Sequence, residues 1–83
     1  MSESRKILIV GLGYVGLPLA VALARHYDVT GFDIDANRIK QLRASYDRTG
    51  EIDTADLRES SLLLTDDAAV LANTDVAIVT VPT

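Results

Sequence analysis

One stretch of the chain, residues 6–35, constrains the fold most, because its composition changes in a definite order. An apolar run rich in β-branched residues reaches Gly11, and glycines then punctuate the start of a run rich in alanine and leucine. A second apolar run, 29–32, ends at Asp33. β-branched residues are typical of strands, whereas alanine and leucine are typical of helices. The order predicts a strand, a glycine turn, a helix, a second strand and then an acidic residue.

The three glycines of residues 11–16, called the glycine turn below, have separate predicted roles. Gly11 lets the chain leave the first strand through backbone angles that a side chain disfavours. Gly13 lets the backbone approach a pyrophosphate closely, and Gly16 lets the helix pack closely on the strand. The helix N-terminus adds unpaired amides and a partial positive charge, both of which suit a diphosphate. The turn is therefore predicted to bind the pyrophosphate of a dinucleotide.

The acidic residue after the second strand predicts which dinucleotide is bound. Asp33 lies about where a carboxylate accepts hydrogen bonds from the adenosine ribose. A carboxylate there also repels a 2′-phosphate, which favours NAD over NADP as the cofactor. Arg38 leaves NADP open, since a nearby arginine can accommodate that phosphate. With Asp33 and Asp35 both present, the sequence favours NAD.

The rest of the chain alternates helical and strand patterns. Residues 36–44 predict a second helix with Asp35 as its N-cap. Residues 62–64 predict a third strand, 68–72 a short helix, and 76–81 a fourth strand that is covered on both faces because it is apolar throughout. Right-handed crossovers then give an α/β, Rossmann-like parallel sheet of order 3-2-1-4 with helices on both faces. The ligand crevice is expected at the carboxyl ends of the first and fourth strands.

The pattern stops after the fourth strand, whereas a complete dinucleotide fold has two more. We interpret residues 1–83 as the N-terminal portion of a dinucleotide-binding domain, truncated after that strand. The outer edge of 76–81 would then be unpaired and apolar, so we expect this piece alone to dimerise or aggregate through it. A clean monomer in light scattering at micromolar concentration would contradict that expectation.

Composition excludes several classes of partner. A net charge of −4 with scattered basic residues argues against nucleic acid. The chain has no cysteine, which excludes thiolate metal sites and makes a reducing cytoplasm the default location. The nearly uncharged residues 7–24 could suggest a membrane segment, but three glycines and Pro18 make them a poor continuous helix. We therefore predict no metal and no membrane partner.

The loop at residues 47–51 permits two interpretations. It could lie near an active site, or it could be a surface turn in which Asp47 bonds local amides and Gly50 takes a positive φ. The chemistry of the residues favours the surface turn.

Several segments together identify a family resemblance: GLGYVGLPLA, VTGFDID, the residues Arg38, Ile39 and Leu42, DRTGE and the final VPT. They resemble the UDP-glucose/GDP-mannose dehydrogenase family, in particular bacterial enzymes of polysaccharide synthesis that oxidise UDP-N-acetylhexosamines. The resemblance covers nearly the whole chain but only the front half of that family's cofactor domain. It implies oxidation of the sugar C6 hydroxyl to a carboxylate with two NAD, a nucleotide-sugar substrate, and a cytoplasmic protein that we expect to be a homo-oligomer.

The resemblance also implies a set of cofactor-binding residues. Asp33 matches the ribose acid, Arg38 the basic residue beside the adenosine, and Thr83 a cofactor contact after the last strand. Tyr14 is equally well explained as a packing residue on the helix. The full predicted set is Gly11, Gly13, Tyr14, Val15, Gly16, Asp33, Arg38 and Thr83.

The family's catalytic cysteine, lysine and asparagine have no counterparts in these 83 residues, and neither does its sugar-binding domain. The piece alone is therefore expected to be inactive. Two other functions stay open: a different NAD-dependent hydroxyacid-type dehydrogenase, and a non-catalytic module that binds NAD(H) or another nucleotide.

Overall fold

The computed structural model describes residues 5–80, which form one four-stranded parallel sheet of order β3-β2-β1-β4. The predicted strand order is confirmed. Along the chain the elements are β1 (Lys6–Val10), α1 (Gly16–Ala24), β2 (Asp28–Phe32), α2 (Ala36–Arg43), α3 (Thr54–Glu59), β3 (Leu63–Thr65), a 3₁₀ helix (Ala68–Asn73) and β4 (Val76–Val79).

The core lies around the central strand β1, which pairs with β2 on one side and β4 on the other. Leu8 and Ile9 of this strand are both fully buried; they point to opposite faces of the sheet, and Ile9 belongs to the main core. Helix α1 contributes Leu17 and Ala20 to the same core, and α2 contributes Ile39. Because β1 and β2 run parallel and in register, the loops that follow them lie at one edge of the sheet.

The helix starts follow the sequence closely. Pro18 lies in the first turn of α1, where its missing N–H removes no intrahelical bond. The Asp35 carboxylate caps α2 by accepting hydrogen bonds from the backbone N–H groups of Asn37 and Arg38, at 3.0 and 3.2 Å. The predicted N-cap is confirmed.

Strand β4 differs from its prediction. Residues 76–81 were expected to be covered on both faces, but Val76 is 39% exposed and Val79 64% exposed. That prediction was wrong for the described part of the strand, since β4 forms the edge of the sheet and pairs with β1 alone among residues 5–80. An apolar composition is compatible with a strand that is buried on both faces. Whether the strand is buried depends on which helices and strands pack against it.

Two short helices also differ from expectation. Helix α3 follows the loop that the sequence predicted, and it places Leu57 in the core. Residues 68–73 form a 3₁₀ helix, in place of the ordinary short helix predicted over 68–72, and bury none of their side chains. Without buried side chains, so short a segment has little packing to stabilise an α-helix. Within residues 5–80, no helix is both long enough and apolar enough to cross a membrane.

Candidate functional site: the glycine turn

The glycine turn leaves β1 with the tight geometry that its glycines predict. Gly11 has a φ of +98°, and a Cβ there would collide with the backbone oxygen of Thr80. A Cβ on Gly16 would collide with the backbone oxygen of Gly11. These two glycines therefore let the start of α1 lie directly against the end of β1.

Gly13 occupies the opposite environment. A Cβ at this position would have no neighbouring atom within 4 Å among the described residues, so the space beside it is open. The next two side chains are also exposed, Tyr14 by 69% and Val15 by 67%. The alternative interpretation of Tyr14 as a packing residue is therefore wrong. The turn presents an open face that begins at Gly13 and continues to the N-terminus of α1.

Leu12, between the first two glycines, is held through both of its backbone polar groups. Its N–H donates to Oδ2 of Asp33 at 3.0 Å. Its carbonyl oxygen accepts from Nε and Nη2 of Arg38 at 2.8 and 2.6 Å. Its side chain is fully buried. The conformation of the turn is thus fixed by side chains from the end of β2 and from α2.

Asp33 lies at the carboxyl end of β2, as predicted, and is partly buried. Besides the Leu12 bond, its Oδ1 accepts from the backbone N–H of Asp35 at 2.9 Å. A carboxylate offers about four acceptor positions, so these two bonds leave room for a ligand hydroxyl. The ribose contact of Asp33 stays a prediction.

Arg38 is only 2% exposed, and the structure places its guanidinium behind the turn. Besides the Leu12 carbonyl, it binds Asp47, whose Oδ1 lies 2.8 Å from Nη1. A guanidinium so buried and so paired is poorly placed to accept a 2′-phosphate, which supports NAD over NADP. Its contact with the adenosine stays a prediction, and its support of Leu12 was not predicted.

Asp47 organises the loop of residues 47–52 through its hydrogen bonds. Its Oδ1 accepts from the N–H and the hydroxyl of Thr49 at 2.9 and 2.6 Å, and its Oδ2 from the N–H groups of Glu51 and Ile52 at 2.9 and 3.0 Å. Gly50 has a φ of +73°. The local bonding and the positive φ are confirmed, but Asp47 itself is buried and not on the surface.

Two carboxyl groups near the turn have perturbed pKa values. Burial acts to raise the pKa of Asp47, but hydrogen bonds from Thr49, Arg38 and Ile52 outweigh it and hold that pKa at about 2. The pKa of Asp35 is lowered, chiefly by the backbone N–H of Arg38 and then by the Arg48 side chain. Both groups are therefore ionised at neutral pH.

Thr80 is a residue at the turn that sequence reasoning missed. It follows β4, and its hydroxyl donates to the carbonyl oxygen of Gly11 at 2.8 Å. Its N–H donates to the carbonyl of Val10 at 2.8 Å. The predicted convergence of β1 and β4 was the signal that could have found it. Thr83, the other predicted contact after β4, lies outside the described residues.

The parallel sheet, the glycine turn opening onto a helix N-terminus and the acid after β2 define a Rossmann-like dinucleotide-binding domain. Residues 5–83 match the model of the NAD binding domain of the UDP-glucose/GDP-mannose dehydrogenase family. The chain belongs to this family, as the resemblance implied, and the cofactor of such a domain is NAD.

Several known proteins are similar to this chain. It is 51% identical over 79 residues to UDP-N-acetyl-D-glucosamine 6-dehydrogenase from Pseudomonas aeruginosa, covering 94% of this chain and 19% of that protein. It is 45% identical over 80 residues to Protein CapL from Staphylococcus aureus, covering 96% and 19%. The structure of a UDP-glucose dehydrogenase from Pyrobaculum islandicum matches with a TM-score of 0.82 at 27% identity, covering 96% and 20%. The chain thus spans about a fifth of the length of these proteins.

Proposed function

We propose that residues 1–83 are the N-terminal portion of the NAD-binding domain of a dehydrogenase that oxidises the C6 hydroxyl of a UDP-N-acetylhexosamine to a carboxylate. The match to the family's NAD binding domain supports the cofactor. The sugar class is supported by relatives named UDP-N-acetyl-D-glucosamine 6-dehydrogenase and UDP-N-acetyl-D-mannosamine dehydrogenase.

The open space beside Gly13 is the single observation that carries the proposal. It lies next to the N-terminus of α1, where backbone N–H groups lack intrahelical acceptors and the helix dipole favours an anion. Asp33 lies at the same edge of the sheet and keeps free acceptor positions. An anionic group followed by a hydroxyl-bearing sugar fits this arrangement, as in the adenosine diphosphate half of NAD.

The residues of the chain then divide the binding of NAD between them. The backbone at Gly13 and the start of α1 would hold the pyrophosphate, with Tyr14 and Val15 exposed beside it. Asp33 would accept a hydrogen bond from the adenosine ribose. When bound, NAD⁺ supplies the hydride acceptor, and conversion of an alcohol to a carboxylate requires two of them.

Catalysis would use residues outside this segment. The chain has no cysteine, so a thiol that captures the intermediate aldehyde would have to come from elsewhere in the parent protein. These 83 residues alone can at most bind the cofactor, and we expect them to be inactive. We place the parent protein in the cytoplasm as a homo-oligomer. The absence of cysteine from these residues agrees with that location.

A turnover assay tests the proposal. The full-length protein is mixed with NAD⁺ and a panel of UDP-sugars, and NADH is followed by its absorbance. We expect NADH to form with a UDP-N-acetylhexosamine in a ratio of two per sugar oxidised. One NADH per UDP-sugar would mean that oxidation stops at the aldehyde, which would contradict the proposed carboxylate product. Oxidation of a hydroxy acid, and of no UDP-sugar, would favour a hydroxyacid-type dehydrogenase. Binding of NAD⁺ without oxidation of any sugar would favour a non-catalytic module.

A further inference from the structure

Arg38 determines the orientation of one particular peptide group. It donates two hydrogen bonds to the Leu12 carbonyl, which belongs to the peptide group joining Leu12 to Gly13. This peptide is trans, so its N–H, carried by Gly13, is directed away from its carbonyl. With the carbonyl held toward the buried guanidinium, the Gly13 N–H is directed to the open face of the turn. Among residues 5–80, that N–H donates to no acceptor.

Asp47 in turn holds Arg38. The two side chains form an ion pair of 2.8 Å in which the arginine side chain is 2% exposed and the aspartate side chain is fully buried. A buried guanidinium without its counter-charge is strongly destabilised and tends to move toward water. Asp47 itself is fixed by its bonds to Thr49, Glu51 and Ile52.

We infer that Asp47 is a positioning residue for cofactor binding, acting through Arg38 and Leu12 to direct the Gly13 N–H toward the pyrophosphate. This inference rests on the NAD site proposed above. The fully buried side chain of Asp47 offers no surface to a ligand. Its effect on NAD therefore has to pass through the glycine turn.

Asp47→Asn is the main test variant, since it keeps the size of the side chain and removes its charge. In the full-length protein we expect the dissociation constant for NAD⁺, measured by calorimetry, to rise roughly tenfold. Without ligand, amide hydrogen exchange in residues 11–16 should be faster in Asp47→Asn than in the wild type, whereas exchange in the strands should change less. Arg38→Lys, which keeps the charge but loses the paired donors, should act in the same direction and serves if Asp47→Asn fails to fold.

Two control variants separate positioning from general stability. Asp75 also accepts a backbone hydrogen bond, from Lys6 at 2.8 Å. It lies before β4, at the amino ends of the strands, whereas the glycine turn lies at their carboxyl ends. Asp75→Asn should leave the NAD⁺ affinity unchanged. Leu57→Ala removes a buried side chain of α3 and should lower the melting temperature without weakening NAD⁺ binding or loosening the turn.

The possible outcomes are distinct. Wild-type affinity in Asp47→Asn, or an equal loss of affinity in Leu57→Ala, would overturn the inference. If the wild-type protein binds no NAD⁺, the proposed function fails. Exchange then decides whether Asp47 positions the turn: faster exchange confined to residues 11–16 in Asp47→Asn supports it, and unchanged exchange refutes it.

Discussion

Asp33 and Asp47 each accept hydrogen bonds that organise a loop near the glycine turn, yet the two carboxylates have different surroundings. Asp33 is partly buried and accepts two backbone hydrogen bonds, from Leu12 and Asp35. Asp47 has a fully buried side chain and accepts five hydrogen bonds, one of them within its ion pair with Arg38. Residue type alone does not separate these roles. Exposure and free acceptor positions mark Asp33 as the group that can meet a ligand and Asp47 as the group that supports the site.

The largest expected effect is on stability, at Asp47. Asp47→Ala leaves the Arg38 guanidinium buried without a counter-charge and the loop without its acceptor. We expect a loss of about 3–5 kcal/mol in the free energy of unfolding. Urea denaturation followed by circular dichroism measures it. A loss no larger than that of Asp33→Ala would contradict the division between the two carboxylates.

The next effect is a loss of NAD⁺ affinity with no loss of stability. Gly13→Val places a branched side chain in the open space where the pyrophosphate is proposed to lie. We expect NAD⁺ affinity to fall by about a hundredfold or more, since the bound phosphate and the side chain compete for one volume. The melting temperature should stay close to that of the wild type. Normal NAD⁺ binding in this variant would make the turn purely structural.

Asp33→Ala should show the converse of Asp47→Ala. We expect NAD⁺ binding to weaken by about 1–3 kcal/mol, the scale of losing hydrogen bonds to a charged acceptor. The Leu12 N–H also loses its acceptor, so a smaller loss of stability should accompany it. Calorimetry with Asp75→Asn as the charge-matched control checks the binding. Unchanged affinity would remove Asp33 from the site.

The pH dependence of stability tests the role of the ionised Asp47 carboxylate. The pKa of Asp47 is about 2 in the folded chain, against an ordinary value of 3.8. The ionised group therefore stabilises the fold above the ordinary value, and this stability is lost as the pH falls through the range from about 4 to 2. The difference corresponds to roughly 2 kcal/mol at neutral pH. Urea unfolding across that range should show a flatter pH profile for Asp47→Asn than for the wild type, and equal profiles would contradict the assignment.

The smallest expected effect is at Thr49, whose hydroxyl donates to Asp47. Thr49→Val removes that bond but keeps the ion pair with Arg38, so we expect a loss of about 1 kcal/mol in unfolding free energy. Denaturation of Thr49→Val beside the wild type measures it. A loss as large as that of Asp47→Ala would mean that the loop, and not the ion pair, carries the stability.

The sequence predicted the parts of the fold that depend on local pattern. The strand order followed from the alternation of strands and helices, the Asp35 cap from its place before α2, and the local bonding of Asp47 from turn chemistry. These features involve neighbours in the chain or the general handedness of crossovers. The glycine turn was recognisable for the same reason.

What the sequence did not predict depends on contacts between distant residues. The Arg38 bond to the Leu12 carbonyl joins α2 to the turn after β1, and the Thr80 bond to Gly11 joins the residue after β4 to the same turn. From the sequence alone, an arginine at the position of Arg38 could contact a ligand or support the turn from inside the protein. Only packing shows that Arg38 faces inward and that Val79 faces outward.

A crystal structure of the full-length protein with NAD⁺ tests the role of the glycine turn in cofactor binding, because it locates the pyrophosphate. We predict that the pyrophosphate lies on the Gly13 N–H, that Asp33 accepts a ribose hydroxyl, and that the Arg38–Asp47 pair stays buried. A dinucleotide bound away from residues 11–16, or an Arg38 that leaves Asp47 to contact the cofactor, would contradict this prediction.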